Sequence, residues 1–232
     1  MSIATNISRV RERIEAAVRR AGRDANSISL MAVSKTVPPD RIREAYDAGI
    51  RLFGENRVQE FAGKAQALGE LKDSEVHMIG HLQSNKAARA AELFGGIDSV
   101  DSVRLLQKLH AAASALQRRL PVLIEINIGG ETAKSGVAPE SSELSRILDT
   151  AQELPAIEIC GLMTVPPFDD DPEKSRPYFR AMRHLYDKVT SQNLARMRVL
   201  SMGMSHDFEV AIEEGSNRIR VGTAIFGDRK RG

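Results

Sequence analysis

Eight short apolar or β-branched runs recur along the chain, and a segment with helical periodicity separates each run from the next. In order, the runs are SLMAVS, RLF, VHMI, IDSV, VLIEIN, EICGLM, RVLS and RIRVG. Strands that alternate with amphipathic helices are typical of parallel sheets, and eight such units can close into a barrel. We therefore predict one α/β domain over residues 1–232, folded as a (β/α)8 TIM-type barrel. An open doubly wound sheet is the alternative.

The segment before the first strand, TNISRVRERIEAAVRRAG, has apolar residues at helical spacing. It predicts an extra N-terminal amphipathic helix that Thr5 could cap and Gly22 could end. This helix can cover the remaining outer position of the barrel. Its arginines are more typical of a solvated helix face than of a nucleic-acid site.

The charge balance limits the classes of partner. With 33 basic and 31 acidic residues the net charge is +2, too small to gather nucleic acid or an anionic membrane. The single Cys160 excludes an internal disulfide, and the sequence has neither a secretory h-region nor an apolar run long enough to span a bilayer. We expect a monomer in the cytoplasm whose partner is a small molecule. The histidines lack metal-ligand spacing, so no metal site is expected.

Lys35 ends the first predicted strand, and Val37-Pro38-Pro39 follow it almost at once. An ammonium group in a low-dielectric site tends to lose its proton. A neutral lysine amine is the species that attacks an aldehyde. The alternative is a lysine that simply reaches solvent at the end of a strand.

Two glycine-containing stretches follow strands seven and eight, SMGMS at 201–205 and VGTAIFG at 221–227. Barrels frequently hold a phosphate in the loops at these two places. The suitable residues are Ser201, Gly203, Ser205, Gly222 and Thr223. Alternation along RIRVG predicts that Arg220 points into the barrel beside them. An amine, a phosphate cradle and an arginine facing a pyridine nitrogen describe a pocket for pyridoxal 5′-phosphate (PLP).

Seven motifs resemble, in order and over nearly the whole chain, those of the PLP homeostasis proteins. They are VSKTVPP, FGENRVQE, HMIGHLQSNK, IDSVDS, GLMTVPP, LSMGMSHDFEVAIEEGS and RVGTAIFG. The resemblance implies a barrel similar to the N-terminal domain of alanine racemase and PLP held as an aldimine on Lys35. It further implies a role in intracellular PLP (vitamin B6) homeostasis without established turnover, with PLP-dependent apo-enzymes as recipients. Ring and phosphate contacts are implied at Asn56, His81, Ser201, Arg220, Gly222 and Thr223.

Two enzymatic functions would use the same lysine, a PLP-dependent racemase or decarboxylase and a Schiff-base aldolase without cofactor. A racemase requires a second acid or base opposite the lysine. None of Tyr46, Tyr178 and Tyr186 lies at the carboxyl end of a predicted strand. An arginine at the pyridine nitrogen also makes the ring a weaker electron sink. We therefore predict a PLP carrier or buffer, with an amino-acid racemase as the alternative and weak racemase activity left open.

Overall fold

The computed structural model describes residues 2–68, 71–192 and 195–227 and contains a closed barrel of eight parallel strands. The strands pair in chain order, and β1 pairs with β8 to close the barrel. They are β1 Ser29–Val33, β2 Leu52–Glu55, β3 Glu75–Met78, β4 Gly96–Val100, β5 Leu120–Ile126, β6 Ile157–Thr164, β7 Val199–Met204 and β8 Arg218–Val221. The predicted barrel is confirmed, and the open doubly wound sheet is wrong.

Helices cover the outside of the barrel. They are α1 Ile3–Arg20, α2 Pro39–Asp47, α3 Val58–Leu68, α4 Ala87–Leu93, α5 Val103–Ala115, α6 Ser142–Ala151, α7 Arg176–Ser191, α8 Phe208–Glu213 and α9 Thr223–Phe226. Among the described residues, three short 3-10 turns lie at Ala25–Ser27, Ser84–Lys86 and Pro172–Ser175. Helix α1 packs against α2, α8 and α9, as expected of the extra N-terminal helix.

The ends of α1 differ in one respect from the prediction. Ser2 is the N-cap, and its hydroxyl accepts a hydrogen bond from the Thr5 amide at 3.2 Å. The prediction that Thr5 caps the helix is wrong, because apolar Ile3 already belongs to the buried face and starts the helix earlier. Gly22 has φ +63°, the left-handed conformation expected of the residue that ends a helix.

The strands present opposite faces to two different environments, as their alternation predicts. Ile219 and Val221 pack in the main core between the sheet and the helices. The neighbouring Arg218 and Arg220 make their hydrogen bonds inside the barrel. The interior also holds a separate small apolar cluster, composed of Leu123, Cys160, Met163 and Val199.

Strand β7 is longer than the sequence predicts. It runs to Met204, so Ser201 and Gly203 lie within the strand, and the expected loop after it starts only at Ser205. The pairing with β8 is irregular between Ser201 and Met204, which lets the strand continue past Gly203. Gly203 has φ +92°, and a Cβ there would lie 2.5 Å from the Ala211 Cβ. Only glycine allows β7 to bend this close to α8.

Candidate functional site

Lys35 lies two residues beyond β1, at the carboxyl end of the barrel, and is partly buried. The Ser34 amide still donates to the Gly54 carbonyl at 2.9 Å, which continues the pairing with β2. Thr36 then adopts φ +63°, and the Val37 amide donates back to the Ser34 carbonyl at 3.0 Å. The chain therefore turns tightly around Lys35 before α2 begins.

Lys35 contributes to the walls of two adjoining cavities. One, of about 240 Å³, is also lined by the turn after β7, the β6–α7 loop and the end of β8. The other, of about 550 Å³, lies on the side of α2. Lys35, Val33, Gly222 and Thr223 line both cavities, and Arg220 lines the first. The first cavity therefore brings together five residues predicted for the site, namely Lys35, Ser205, Arg220, Gly222 and Thr223.

Two backbone N–H groups converge at the wall of these cavities. The amides of Gly222 and Ala224 both donate to the Ser205 hydroxyl, at 3.1 and 3.3 Å. A Cβ at Gly222 would meet only Val33, at ordinary distances of 3.5 Å from its Cβ and 3.6 Å from its carbonyl oxygen, so packing within the protein does not require glycine there. Converging N–H groups beside hydroxyl residues suit an anion. The exposed Thr223 adds a further hydroxyl at this wall.

Arg220 is buried, and its guanidinium is held in one orientation. It donates to the Ser201 hydroxyl at 2.6 Å and to the Thr164 carbonyl at 2.7 Å. Burial lowers the pKa of Arg220, and the carboxylates of Asp98 and Glu125 oppose this effect. Ser201 is fully buried and is not among the residues that line the two cavities, so its predicted cofactor contact stays a prediction.

Asn56 and His81 lie in a different cavity of about 500 Å³, between the β2–α3 and β3–α4 connections. His81 Nδ1 contacts Asp101 Oδ2 at 3.1 Å. The Asn56 Oδ1 atom is buried and has no hydrogen-bond partner among the described residues. Neither side chain lines the cavities that Lys35 lines, and Gly203 is absent from those walls as well. The predicted cofactor contacts of these three residues stay predictions.

Two side chains near the site were not predicted from the sequence. Burial, together with the nearby Asp101, raises the pKa of Glu125 to about 7, although Arg220 opposes the shift. The Glu125 Oε2 atom is buried without a partner in the described part of the chain. Asp207 accepts from the Met204 amide at 2.7 Å and from the Ser175 hydroxyl at 3.2 Å, which fixes the turn after β7. The inward parity of β5 was the available signal for Glu125.

No group of three or more His, Cys, Asp or Glu residues in the ranges 2–68, 71–192 and 195–227 could hold a metal ion. Within the same ranges, none of the helices combines the length and the apolar character that crossing a membrane requires.

Comparison with known proteins gives consistent matches over nearly the whole chain. A family model described as the alanine racemase N-terminal domain matches residues 5–230. The pyridoxal phosphate homeostasis protein of Aquifex aeolicus is 46% identical over 230 residues, which cover 99% of this chain and 100% of that protein. The one of Pseudomonas aeruginosa is 41% identical over 231 residues, covering 100% of this chain and 97% of that protein.

Solved structures agree with these sequence matches. PipY of Synechococcus elongatus, solved with PLP bound, is 36% identical and superposes with a TM-score of 0.84, covering 97% of this chain and 100% of that chain. Alanine racemase from Clostridium difficile is only 14% identical, with a TM-score of 0.79, and the match covers 98% of this chain and 57% of that chain. The second likeness shows a shared fold.

Proposed function

Because the chain belongs to the family of pyridoxal phosphate homeostasis proteins, we propose that it binds one PLP at the carboxyl end of its barrel. It holds this cofactor as a carrier or buffer. The main support for the proposal is that Lys35, Gly222 and Arg220 line one cavity together with Ser205, whose hydroxyl accepts from the amides of Gly222 and Ala224.

Each residue in the proposed site has a defined task. PLP supplies an aldehyde, which condenses with a neutral lysine amine and releases one water. Lys35 provides that amine. The amides of Gly222 and Ala224, with the hydroxyls of Ser205 and Thr223, bind the phosphate.

Arg220 completes the site as the partner of the ring nitrogen, and Ser201 and the Thr164 carbonyl orient its guanidinium. As a permanent cation it favours an unprotonated ring nitrogen. An unprotonated ring withdraws electrons less strongly, so Arg220 supports a binding function over carbanion chemistry. Contacts of Asn56, His81 and Gly203 with the cofactor remain part of the proposal.

The positions of the tyrosines also favour a carrier over a racemase. Tyr46 belongs to α2 and donates its hydroxyl to the Lys72 carbonyl at 2.8 Å. Tyr178 and Tyr186 belong to α7 on the outside of the barrel. None of the three is among the residues lining the cavities around Lys35, so none offers the second acid or base that racemisation requires.

Four features expected from the sequence belong to the proposal as well. They are one PLP-binding domain over residues 1–232, a monomeric state, a cytoplasmic location and transfer of PLP to apo-enzymes. The names of the relatives, homeostasis proteins rather than enzymes, support a carrier or buffer over an enzyme.

Borohydride reduction followed by peptide mass mapping tests the site. We expect a pyridoxyl group on Lys35. Lys35→Ala should lose this adduct but retain weakened binding in equilibrium dialysis, because the phosphate contacts and Arg220 remain. An adduct on Lys86 or Lys134 in place of Lys35 would contradict the assignment. Sustained PLP-dependent racemisation of alanine by the wild type, abolished in Lys35→Ala, would show that the protein is an enzyme.

A further inference from the structure

The residues on both sides of Lys35 are held by one group of charged side chains. This charged cluster consists of Glu55 at the end of β2 and of Glu60 and Lys64 on α3. The Lys64 ammonium donates to Glu60 at 2.7 Å and to Glu55 at 3.2 Å. A third hydrogen bond from Lys64, of 3.1 Å, reaches the Ser34 carbonyl. The cluster therefore contacts the backbone directly before Lys35.

The cluster also reaches the residue that follows Lys35. Glu60 Oε1 accepts a hydrogen bond from the Thr36 amide at 2.5 Å. Although burial alone would raise it, the hydrogen bonds from Lys64 and Thr36 keep the pKa of Glu60 below its usual value. Thr36 has φ +63°, which a β-branched side chain rarely adopts. Such a conformation persists only where the surroundings determine it.

Packing stability is a poor explanation for this arrangement. Glu55 is fully buried and the Lys64 side chain is 12% exposed, and apolar residues of similar size often replace buried ion pairs without loss of stability. The hydrogen bonds of the cluster converge on one short segment. Glu55 accepts from the Ser34 hydroxyl at 2.7 Å, Lys64 donates to the Ser34 carbonyl and Glu60 accepts from the Thr36 amide. Their common target is the backbone that presents Lys35.

We propose that Glu55, Glu60 and Lys64 are positioning residues that direct the Lys35 amine into the cavity and so set the rate at which PLP becomes covalently attached. This inference rests on the proposed function, because it takes Lys35 as the attachment point. It assigns no contact with the cofactor to the cluster. Binding contributed by the phosphate site and by Arg220 is therefore independent of it.

Two variants weaken the cluster to different degrees. Lys64→Met removes the ammonium but leaves Glu55 buried, and burial already raises the pKa of that carboxyl. The double variant Lys64→Met with Glu55→Gln removes both charges and keeps side chains of similar shape. It can therefore replace the single variant in the test if the single variant folds poorly. Arg89→Met is the matched control. It also replaces a cation by Met, but it breaks an exposed ion pair between Arg89 and Glu92 within α4, the helix after α3.

The first measurement is the rate of covalent attachment, followed by the absorbance of PLP after mixing with cofactor-free protein. Losing one charge-assisted hydrogen bond in the positioned state should slow attachment roughly tenfold or more. Lys64→Arg should recover part of the rate, while Arg89→Met should match the wild type. Pyridoxamine 5′-phosphate, which has no aldehyde, should bind the double variant and the wild type equally well.

The second measurement needs no cofactor. Amide hydrogen exchange at Thr36 should become faster in the double variant and stay unchanged in Arg89→Met, because only the former loosens the segment around Lys35. A folded double variant that attaches PLP at the wild-type rate would overturn the inference. Equal losses of PLP and pyridoxamine 5′-phosphate binding would also overturn it, since the cluster would then act on the whole site. Failure of the wild type to label at Lys35 would instead refute the proposed function.

Discussion

Stability between pH 6.5 and 9 should depend on one histidine inside the barrel. His77 is buried, with Nδ1 2.8 Å from Asp98 Oδ1 and Nε2 3.3 Å from Glu75 Oε2. Carboxylates only accept hydrogen bonds, so both contacts require a doubly protonated ring. A guanidinium nitrogen of Arg218 lies 3.4 Å from Nδ1, but two donors face each other there and no hydrogen bond forms. Arg218 is instead bonded to Asp98 at 3.2 Å.

The size of this pH-dependent contribution to the free energy of unfolding follows from the proton that His77 retains in the folded protein. Although burial alone would lower it, the carboxylates of Asp98 and Glu75 raise the pKa of His77 from 6.5 to about 9. Because the folded protein binds this proton more tightly than the unfolded chain, its stabilising effect is complete below pH 6.5. It is lost as the pH rises to about 9, at about 1.4 kcal/mol per pH unit. The total is on the order of 3 kcal/mol, or ~10 °C in Tm for a chain of this size.

The assay is urea unfolding of the cofactor-free protein at a series of pH values from about 6 to 10. His77→Gln keeps a donor for Asp98 but cannot titrate, so the wild type should lose stability more steeply than this variant, by about 1.4 kcal/mol per pH unit across the window. His184→Gln is the control, because His184 is exposed on α7. Equal slopes for the wild type and His77→Gln would refute the reasoning.

Three other substitutions have defined outcomes. Glu125→Gln should stabilise the cofactor-free protein by on the order of 1–3 kcal/mol at pH 8 and little at pH 5, because the pKa of this buried carboxyl is raised to about 7; an equal effect at both values would count against it. Gly203→Ala should cost about 2 kcal/mol in thermal unfolding, since it combines φ +92° with a Cβ 2.5 Å from Ala211. Gly222→Ala should leave Tm unchanged, because its Cβ would meet only Val33 at 3.5 Å. It should weaken PLP binding in equilibrium dialysis. A Gly222→Ala variant that lowers Tm more than Gly203→Ala does, with PLP binding intact, would be inconsistent with the proposed site.

The sequence predicted those parts of the structure that depend on the local hydrophobic periodicity and on the order of strands and helices along the chain. The alternation in RIRVG correctly placed Arg220 inside the barrel, because a strand has only two faces. It could not predict the end of β7, because the irregular pairing near Gly203 depends on contact with α8. It also did not reveal that Asn56 and His81 line another cavity, since the path of the loops after strands is set by long-range packing.

The charged cluster beside Lys35 could not be predicted from the sequence for a related reason. Glu55, Glu60 and Lys64 have helical or strand-end positions that are equally typical of solvated side chains. The spacing of Glu60 and Lys64 predicts a surface pair, whereas the structure buries Lys64 against β2. Only the pairing of β2 with β1, which brings α3 beside residues 34–36, gives these charges their partners there.

The hydrogen bonds at the proposed phosphate site, formed by Ser205, Gly222 and Ala224, bear on how the proposed carrier would release PLP. The amides of Gly222 and Ala224 already share the Ser205 hydroxyl as an acceptor. An anion at this wall competes with that hydroxyl for the same two N–H groups, so binding exchanges one set of hydrogen bonds for another. Such an exchange yields less free energy than the satisfaction of vacant donors would. If Lys35 is the attachment point that we propose, retention of PLP depends strongly on that one bond, and hydrolysis of the bond would release the cofactor.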